Sequence, residues 1–321
     1  MMLARCNSQA VDGRGLHSRA AHSSLPLSAV TFVRRMRGGA QSSLLRASDG
    51  ELYVVKLHGN PQGHNVLANE ALGSWLAAQL GLETPAWRPI SVSDELLAQN
   101  PEMWFETPTG RVRPPAGVHY ASRLVETQGE GSVFEILPRS WFARVQNRED
   151  FLGMLLLDLW CNHTDNRQAC FVQEAGARGL RAVFLDQGHM FNGADGTTNA
   201  RPAASLFLDR TMYEGLWSQK QVNEWMRKIC AIPAQAAYTF VASLPAAWSA
   251  APMELTVASL LERRPMFQQL LRGVRALVEG PSPLRKPVQR AHDSSEPLRF
   301  SGHSLRACPG PGDQLCVGAA R

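Results

Sequence analysis

Asp165 and Asp186 are the acids in this chain whose setting points most directly to chemistry. The apolar run LLLDLWC (155–161) leads straight into Asn162, His163, Thr164, Asp165, Asn166, Arg167 and Gln168. Two short apolar runs follow, Ala169–Val172 and Arg181–Leu185, around the turn-like EAGARG, and the second ends in Asp186-Gln187-Gly188. This pattern predicts a buried helix, a polar loop and a hairpin that returns the second carboxylate beside the first. Two acids held around one loop suit metal-assisted phosphoryl transfer, one orienting a nucleophile and the other holding Mg²⁺. Asp is common in turns whatever the chemistry, but this cluster is too densely polar for a plain turn. Asp186 follows Val183-Phe184-Leu185 and so lies near the core, where a carboxylate needs a partner or a metal. Gly188 permits an unusual backbone turn beside it.

Upstream, Gly38-Gly39-Ala40-Gln41-Ser42 fits either an ordinary hairpin turn or a phosphate cradle of backbone N–H groups flanked by Gln41 and Ser42. A P-loop is excluded, because no Gly-Lys-Ser/Thr follows. Lys56 ends an alternating strand and is either solvent-facing or aimed at phosphates. Glu70, early in the next helix, is either on a solvated face or the partner of that lysine. The order of features favours the second option in each case: glycine turn, Asp-Gly hairpin, strand lysine, helix glutamate. A strand lysine held by a helix glutamate is the ion pair that keeps a lysine pointed at nucleotide phosphates. His163 fits either a loop-positioning or a packed role, and His189 either a phosphate-assisting or a packed one. A zinc hydrolase using His163, Asp165, Asp186 and His189 is an alternative, but it lacks HExxH-type spacing.

The elements that must position these groups can be read in order. Structure is expected from near Leu27, with Val30–Met36, Leu44–Ala47 and Glu51–Leu57 forming an antiparallel meander around the Gly and Ser48-Asp49-Gly50 turns. The apolar stripe over Val66–Leu80 predicts a helix stopped by Gly81. Trp87–Val92 and His119–Val125 read as strands, with residues 93–117 irregular and Glu126–Gly131 a linker. Arg148–Trp160 is apolar around nearly its whole circumference and predicts a helix buried on all sides. Asn192–Pro202 reads as a loop, followed by helices over Ser218–Cys230, Ala234–Leu244 and Leu255–Leu277. There is no internal repeat.

Composition sets outer limits. The 321 residues are 44% apolar with eight Trp, enough for one large domain or two lobes. Net charge is +5, but Arg and Lys gather in the first 37 residues and after Leu284. No basic run with interleaved aromatics appears, so no nucleic-acid partner is inferred. Cysteines at 6, 161, 170, 230, 308 and 316 form no CxxC or Cys/His metal spacing, which fits a reducing cytoplasm. Neither a secretion signal nor a membrane span is evident. The Asn162-His163-Thr164 match to a glycosylation acceptor is therefore read as chance. The expectation is a soluble cytoplasmic protein.

The segments RGGAQSSLLRASDGELYVVKL, NEALGSWLAAQLGL, LWCNHTDNRQACF and AVFLDQGHMF resemble the HipA-like kinase family, within the broader protein-kinase-like fold. The likeness runs from about Leu27 to about Leu277. It implies an α+β, two-lobed fold. A small antiparallel β-rich N-lobe with one helix would span 27–126, and a larger, mainly helical C-lobe 127–279. Residues 1–26 and the basic tail 280–321 are expected to be disordered. By the same resemblance, Gly38, Gly39, Gln41 and Ser42 cover the phosphates of ATP, and Lys56 contacts them while paired with Glu70. Ser122, within Tyr120–Val125, would lie at the hinge beside the adenine. Asp165 would orient the acceptor hydroxyl, with Arg167 and Lys56 as further catalytic groups, and Asp186 would ligate Mg²⁺. The family's metal-binding Asn, five residues after the catalytic Asp, is replaced here by Cys170, with Asn166 or Gln168 as its substitute. No Ala-Pro-Glu segment is present, so docking of a protein substrate does not follow.

The activity implied is transfer of the γ-phosphoryl group of ATP, with Mg²⁺, to a hydroxyl acceptor, most simply a protein Ser or Thr. A catalytically silent nucleotide-binding or scaffolding module is the alternative that Cys170 favours. The sequence specifies neither the acceptor nor the oligomeric state.

Overall fold

The computed structural model describes residues 26–127, 129–196, 207 and 209–279. The expectations of disorder for most of 1–26 and for 280–321, and part of the Asn192–Pro202 loop, lie outside the described residues.

The chain opens with β1 (Leu27–Arg35), β2 (Ser43–Ala47) and β3 (Leu52–Lys56), the meander that the turns predicted. The Ser48–Gly50 connection is a residue longer than a two-residue turn. Ala47 and Glu51 bracket it, and Gly50 takes a left-handed φ of 84°. Next is α1 (Val66–Gln79), which ends as expected in a turn with Gly81 at φ 75° and Leu82 N–H returning to Ala77 O. This helix is buried around most of its surface, with Asn69, Glu70 and Ser74 enclosed alongside its apolar residues, so it does not carry a solvated face. Then comes β4 (Trp87–Val92).

Residues 93–117 are more ordered than expected. They contain α2 (Asp94–Gln99) and a hairpin of β5 (Phe105–Thr107) and β6 (Gly110–Val112). The signal for α2 was present in the sequence: Ser93 accepts the Leu96 N–H, and two acids follow it in the first turn. After β7 (Gly117–Arg123), the strands join as a closed barrel in the order β1-β2-β3-β7-β4. Parallel pairing of Leu27 and Ser28 with Ile90 and Ser91 closes it, which departs from the all-antiparallel expectation. Leu45, Val55, Ile90, Phe105 and Ala121 fill its interior.

The expected linker runs into β8 (Ser132–Phe134), and α3 (Asp150–Cys161) follows, with every residue from Phe151 to Cys161 buried. The hairpin β9 (Gln168–Gln173) and β10 (Arg181–Leu185) pairs as predicted, with β8 added along the edge of β9. Four helices complete the described chain: α4 (Gln219–Ala231), α5 (Ala234–Ala242), α6 (Met253–Arg263) and α7 (Phe267–Glu279). The single helix expected over Leu255–Leu277 is two, parted by a short 3-10 turn at Arg264-Pro265-Met266, because proline cannot donate to the helical ladder. One continuous core joins α1, α3, β9, β10 and the C-terminal helices. The stacked pair Trp75–Phe240 and the Trp248–Tyr120 contact fix α1 and β7 against this helical part. Among the described residues, no helix is long and apolar enough to cross a membrane.

Candidate active site

Strand β3 ends on Lys56, whose side chain is only 10% exposed, so its ammonium needs charged partners. It has two. Its Nζ is hydrogen-bonded to Glu70 Oε1 from α1 and lies 2.8 Å from Asp186 Oδ1 beyond β10. Glu70 Oε1 also accepts the Gly188 N–H at 2.8 Å, so one carboxylate oxygen ties the lysine to the turn that carries the second acid. Gly73 lets α1 approach this turn. A Cβ there would lie 2.6 Å from Met190 Sδ and 2.7 Å from Gln187 Cβ.

Electrostatics divides the roles of the two acids. Burial would raise the Asp186 pKa, but the charge and hydrogen bond of Lys56 outweigh it and hold this carboxyl below the usual range. Burial pushes Glu70 up, against the lowering effect of Lys56. Burial would lower Lys56, yet Asp186 and Glu70 hold it above its usual value. Lys56 is therefore charged at neutral pH, and Asp186 carries the firmer negative charge. Asp186 is also the more open acid, with its side chain 25% exposed. Its second oxygen is 3.3 Å from Gln168 Nε2.

The loop between α3 and β9 is held from beneath. Asn162 ends α3 in a left-handed conformation (φ 53°), and His163 N–H returns to Asp158 O at 2.9 Å. The His163 ring is buried and linked to the Asp165 backbone. Burial and the neighbouring Arg167 charge keep it well below the usual histidine range, and hence neutral. Arg167 turns inward rather than towards the open side. Its Nε is 2.9 Å from Asp158 Oδ2, and Nη2 bonds the other Asp158 oxygen. Its Nη1 reaches Leu185 O at 2.7 Å, Asp186 O at 3.0 Å and Gln187 Oε1 at 2.5 Å. Arg167, expected in the catalytic set, is 2% exposed and its donors face protein acceptors. Burial pushes Asp158 up to about 6, opposed by the Arg167 charge, so it is ionised at neutral pH.

The glycine turn sits at the barrel's edge. Gly38 has φ 117° and Gln41 has φ 48°, and the Gln41 N–H closes onto Gly38 O at 3.2 Å. The Gln41 side chain is engaged laterally, donating to Glu106 O at 2.9 Å and accepting from Glu106 N–H at 2.7 Å. Asn60 donates to Ala40 O at 2.8 Å, and Ser42 is buried. Gly39 and the backbone remain the groups available to a ligand there. Ser122 pairs with Val54 and Tyr120 with Lys56 across β3 and β7, which puts Ser122 on the same sheet face as the lysine. The Ser122 hydroxyl donates to Val54 O at 3.3 Å.

Asp165 is partly exposed at the lip of the loop, and Asn166 and Gln168 are exposed beside it. Oxygen donors from Asp186 and the neighbouring amides suit a hard divalent cation such as Mg²⁺. Cys170 does not: it is packed with Val172 and Val183, and burial pushes its thiol up to about 12. Among the described residues, no group of three or more His, Cys, Asp or Glu side chains is placed to hold a metal. His163, Asp165, Asp186 and His189 thus do not gather into the zinc site considered above.

Two structurally prominent residues escaped the sequence reading. Asn69 is buried, and its Nδ2 lies 3.0 Å from Gly188 O, 3.0 Å from Met190 O and 3.1 Å from Gly193 O. Asp158 is the buried counter-ion of Arg167. The available signal was a polar residue on a helix whose neighbours are all apolar, which for Asp158 was visible in LLLDLWC.

A barrel lysine paired to a helix glutamate, with an acid returning on a hairpin turn, defines the class: a kinase-like fold. The structure of the Helicobacter pylori proinflammatory kinase CtkA matches with a TM-score of 0.51 at 12% identity, over 80% of this chain and 100% of that one. HipA of Shewanella oneidensis MR-1, solved with HipB and its operator DNA, matches with a TM-score of 0.47 at 13% identity, over 75% of this chain and 67% of that one. The Golgi casein kinase with Mn/ADP bound matches with a TM-score of 0.45 at 9% identity, over 78% and 72%. Within that class, residues 29–168 match the HipA-like kinase family model, the same family that the sequence motifs resemble. No curated protein matches the chain.

Proposed function

We propose that this chain is an ATP- and Mg²⁺-dependent phosphotransferase of the HipA-like type. The observation that carries this reading is Lys56 held between Glu70 and Asp186. A buried cation with one enclosed and one open acid is suited to a polyphosphate that arrives with a divalent ion. The nucleotide lies between a β-rich lobe over 27–126 and a helical lobe over 127–279. Its phosphates meet Lys56 and the backbone of Gly38 and Gly39, and its base lies against the strand face that carries Ser122. Mg²⁺, when bound, neutralises charge developing on the phosphoryl oxygens, and Asp186 with Gln168 or Asn166 would hold it.

Asp165 orients the acceptor hydroxyl and takes its proton. The acceptor oxygen forms a bond to the γ-phosphorus as the bond from that phosphorus to the bridging oxygen of ADP breaks. Family likeness supports a protein Ser or Thr as acceptor, and the scattered cysteines support a cytoplasmic setting.

The packed Cys170 favours a second reading, a nucleotide-binding module without turnover, because it removes the usual amide ligand of a second cation. Incubation with γ-labelled ATP and Mg²⁺, followed by counting label on the chain itself and on added Ser/Thr-rich protein, separates the two. Transfer that is lost in Asp165→Asn supports the enzyme. Nucleotide binding without transfer to either acceptor supports the silent module.

A further inference from the structure

The turn that carries Asp186 is gripped from two sides by buried side chains. From α1, the Asn69 amide is shared among Gly188 O, Met190 O and Gly193 O, all within 3.1 Å. From the polar loop, Arg167 Nη1 reaches Leu185 O, Asp186 O and Gln187 Oε1, all within 3.0 Å, while Asp158 neutralises the guanidinium. Asp186 itself has φ +59°, a left-handed conformation that non-glycine residues rarely adopt. Such a conformation persists only when its surroundings over-determine it, and here six acceptors of one short segment are held by two side chains. Arg167 holds the peptide that follows Asp186 and Asn69 holds the carbonyl of Gly188 two residues on, so together they brace the turn from which its carboxylate projects.

We infer that Asn69 and the Arg167–Asp158 pair are positioning residues that set the cation affinity of Asp186; this rests on the function proposed above. Groups that orient a ligand without touching the metal commonly change metal affinity by about 10–100-fold when removed.

The test is Mn²⁺ binding to the full chain saturated with ADP, followed by the electron paramagnetic resonance signal of free Mn²⁺. Wild type, Asn69→Ser, Arg167→Lys and the distant core variant Val257→Ala are compared, with thermal melts identifying folded protein. Asn69→Ser keeps a hydroxyl donor, and so remains the informative variant if Arg167→Lys does not fold. The expected result is Mn²⁺ binding weakened about tenfold or more in Asn69→Ser and Arg167→Lys, with ADP affinity in EDTA unchanged. Val257→Ala lowers the melting temperature and leaves Mn²⁺ binding at the wild-type level. Wild-type Mn²⁺ affinity in folded Asn69→Ser, or equal weakening in Val257→Ala, overturns the positioning role while the proposed function stands. No Mn²⁺ binding by ADP-saturated wild type overturns both.

Discussion

Lys56 Nζ lies 2.8 Å from Asp186 Oδ1, although 130 positions separate the two residues in the chain. The contact joins the barrel to the β9–β10 hairpin, and Glu70 completes it from α1. Two acids share one cation, so the cluster carries one excess negative charge when all three ionise. A divalent cation held at Asp186, as proposed, would reverse that sign and free Lys56 to meet phosphate.

Glu70→Gln separates charge from shape. Glutamine keeps an oxygen for the Gly188 N–H but gives Lys56 only a neutral partner. The expected outcome is a fall in kcat/KM for ATP of about tenfold or more, carried partly by kcat, because the lysine is no longer fixed at the phosphates. Steady-state kinetics with varied ATP checks this, and unchanged kinetics would remove Glu70 from the site.

Gln168 and Asn166 are the two amides proposed to hold the cation in place of the Asn that the family resemblance would put at Cys170. Only Gln168 has a described contact to Asp186, at 3.3 Å. Gln168→Ala should therefore raise the Mg²⁺ concentration for half-maximal activity several-fold, and Asn166→Ala should change it less. A Mg²⁺ titration at fixed ATP ranks them, and the opposite order would assign the ligand to Asn166.

Stability should fall on mild acidification. His119, buried inside the barrel, is held down at about 4 by burial, with a smaller contribution from His58. The unfolded chain takes up this proton near pH 6.5 while the folded chain resists until about 4, so stability decreases as pH drops through that window. Each unit contributes about 1.4 kcal/mol, or roughly 3 kcal/mol in all. His163, also depressed, acts in the same direction. Urea unfolding at pH 7.5, 6 and 5 should show a shallower fall in His119→Asn, whose side-chain oxygen can still accept the His58 N–H. An equal slope in the variant would exclude His119 as a source.

Local signals carried much of the fold into the sequence. The Asp-Gly turn, the stop at Gly81 and the unbroken apolar run of α3 each reflect short-range physics, and each appears in the structure. The β1–β4 closure depends on residues more than sixty positions apart and leaves no local trace. The site divides in the same way. Lys56, Glu70 and Asp186 were singled out because their order along the chain is informative, and the structure brings them into contact. The inward turn of Arg167 was not, because a polar loop shows which side chains are present and not which way they face. Asn69 was hidden beside Glu70, because nothing in its local sequence marks a buried amide.

Mg²⁺-dependent nucleotide binding is the most direct measurement of the central claim. Titration calorimetry of ATP with Mg²⁺ and with EDTA would compare wild type, Lys56→Ala, Asp186→Ala and Asp165→Ala. The structure predicts Mg²⁺-enhanced binding in wild type and Asp165→Ala, loss of the Mg²⁺ enhancement in Asp186→Ala, and weakened binding under both conditions in Lys56→Ala. Wild-type binding, with its full Mg²⁺ enhancement, in both Lys56→Ala and Asp186→Ala would contradict the account, as would no binding by wild type.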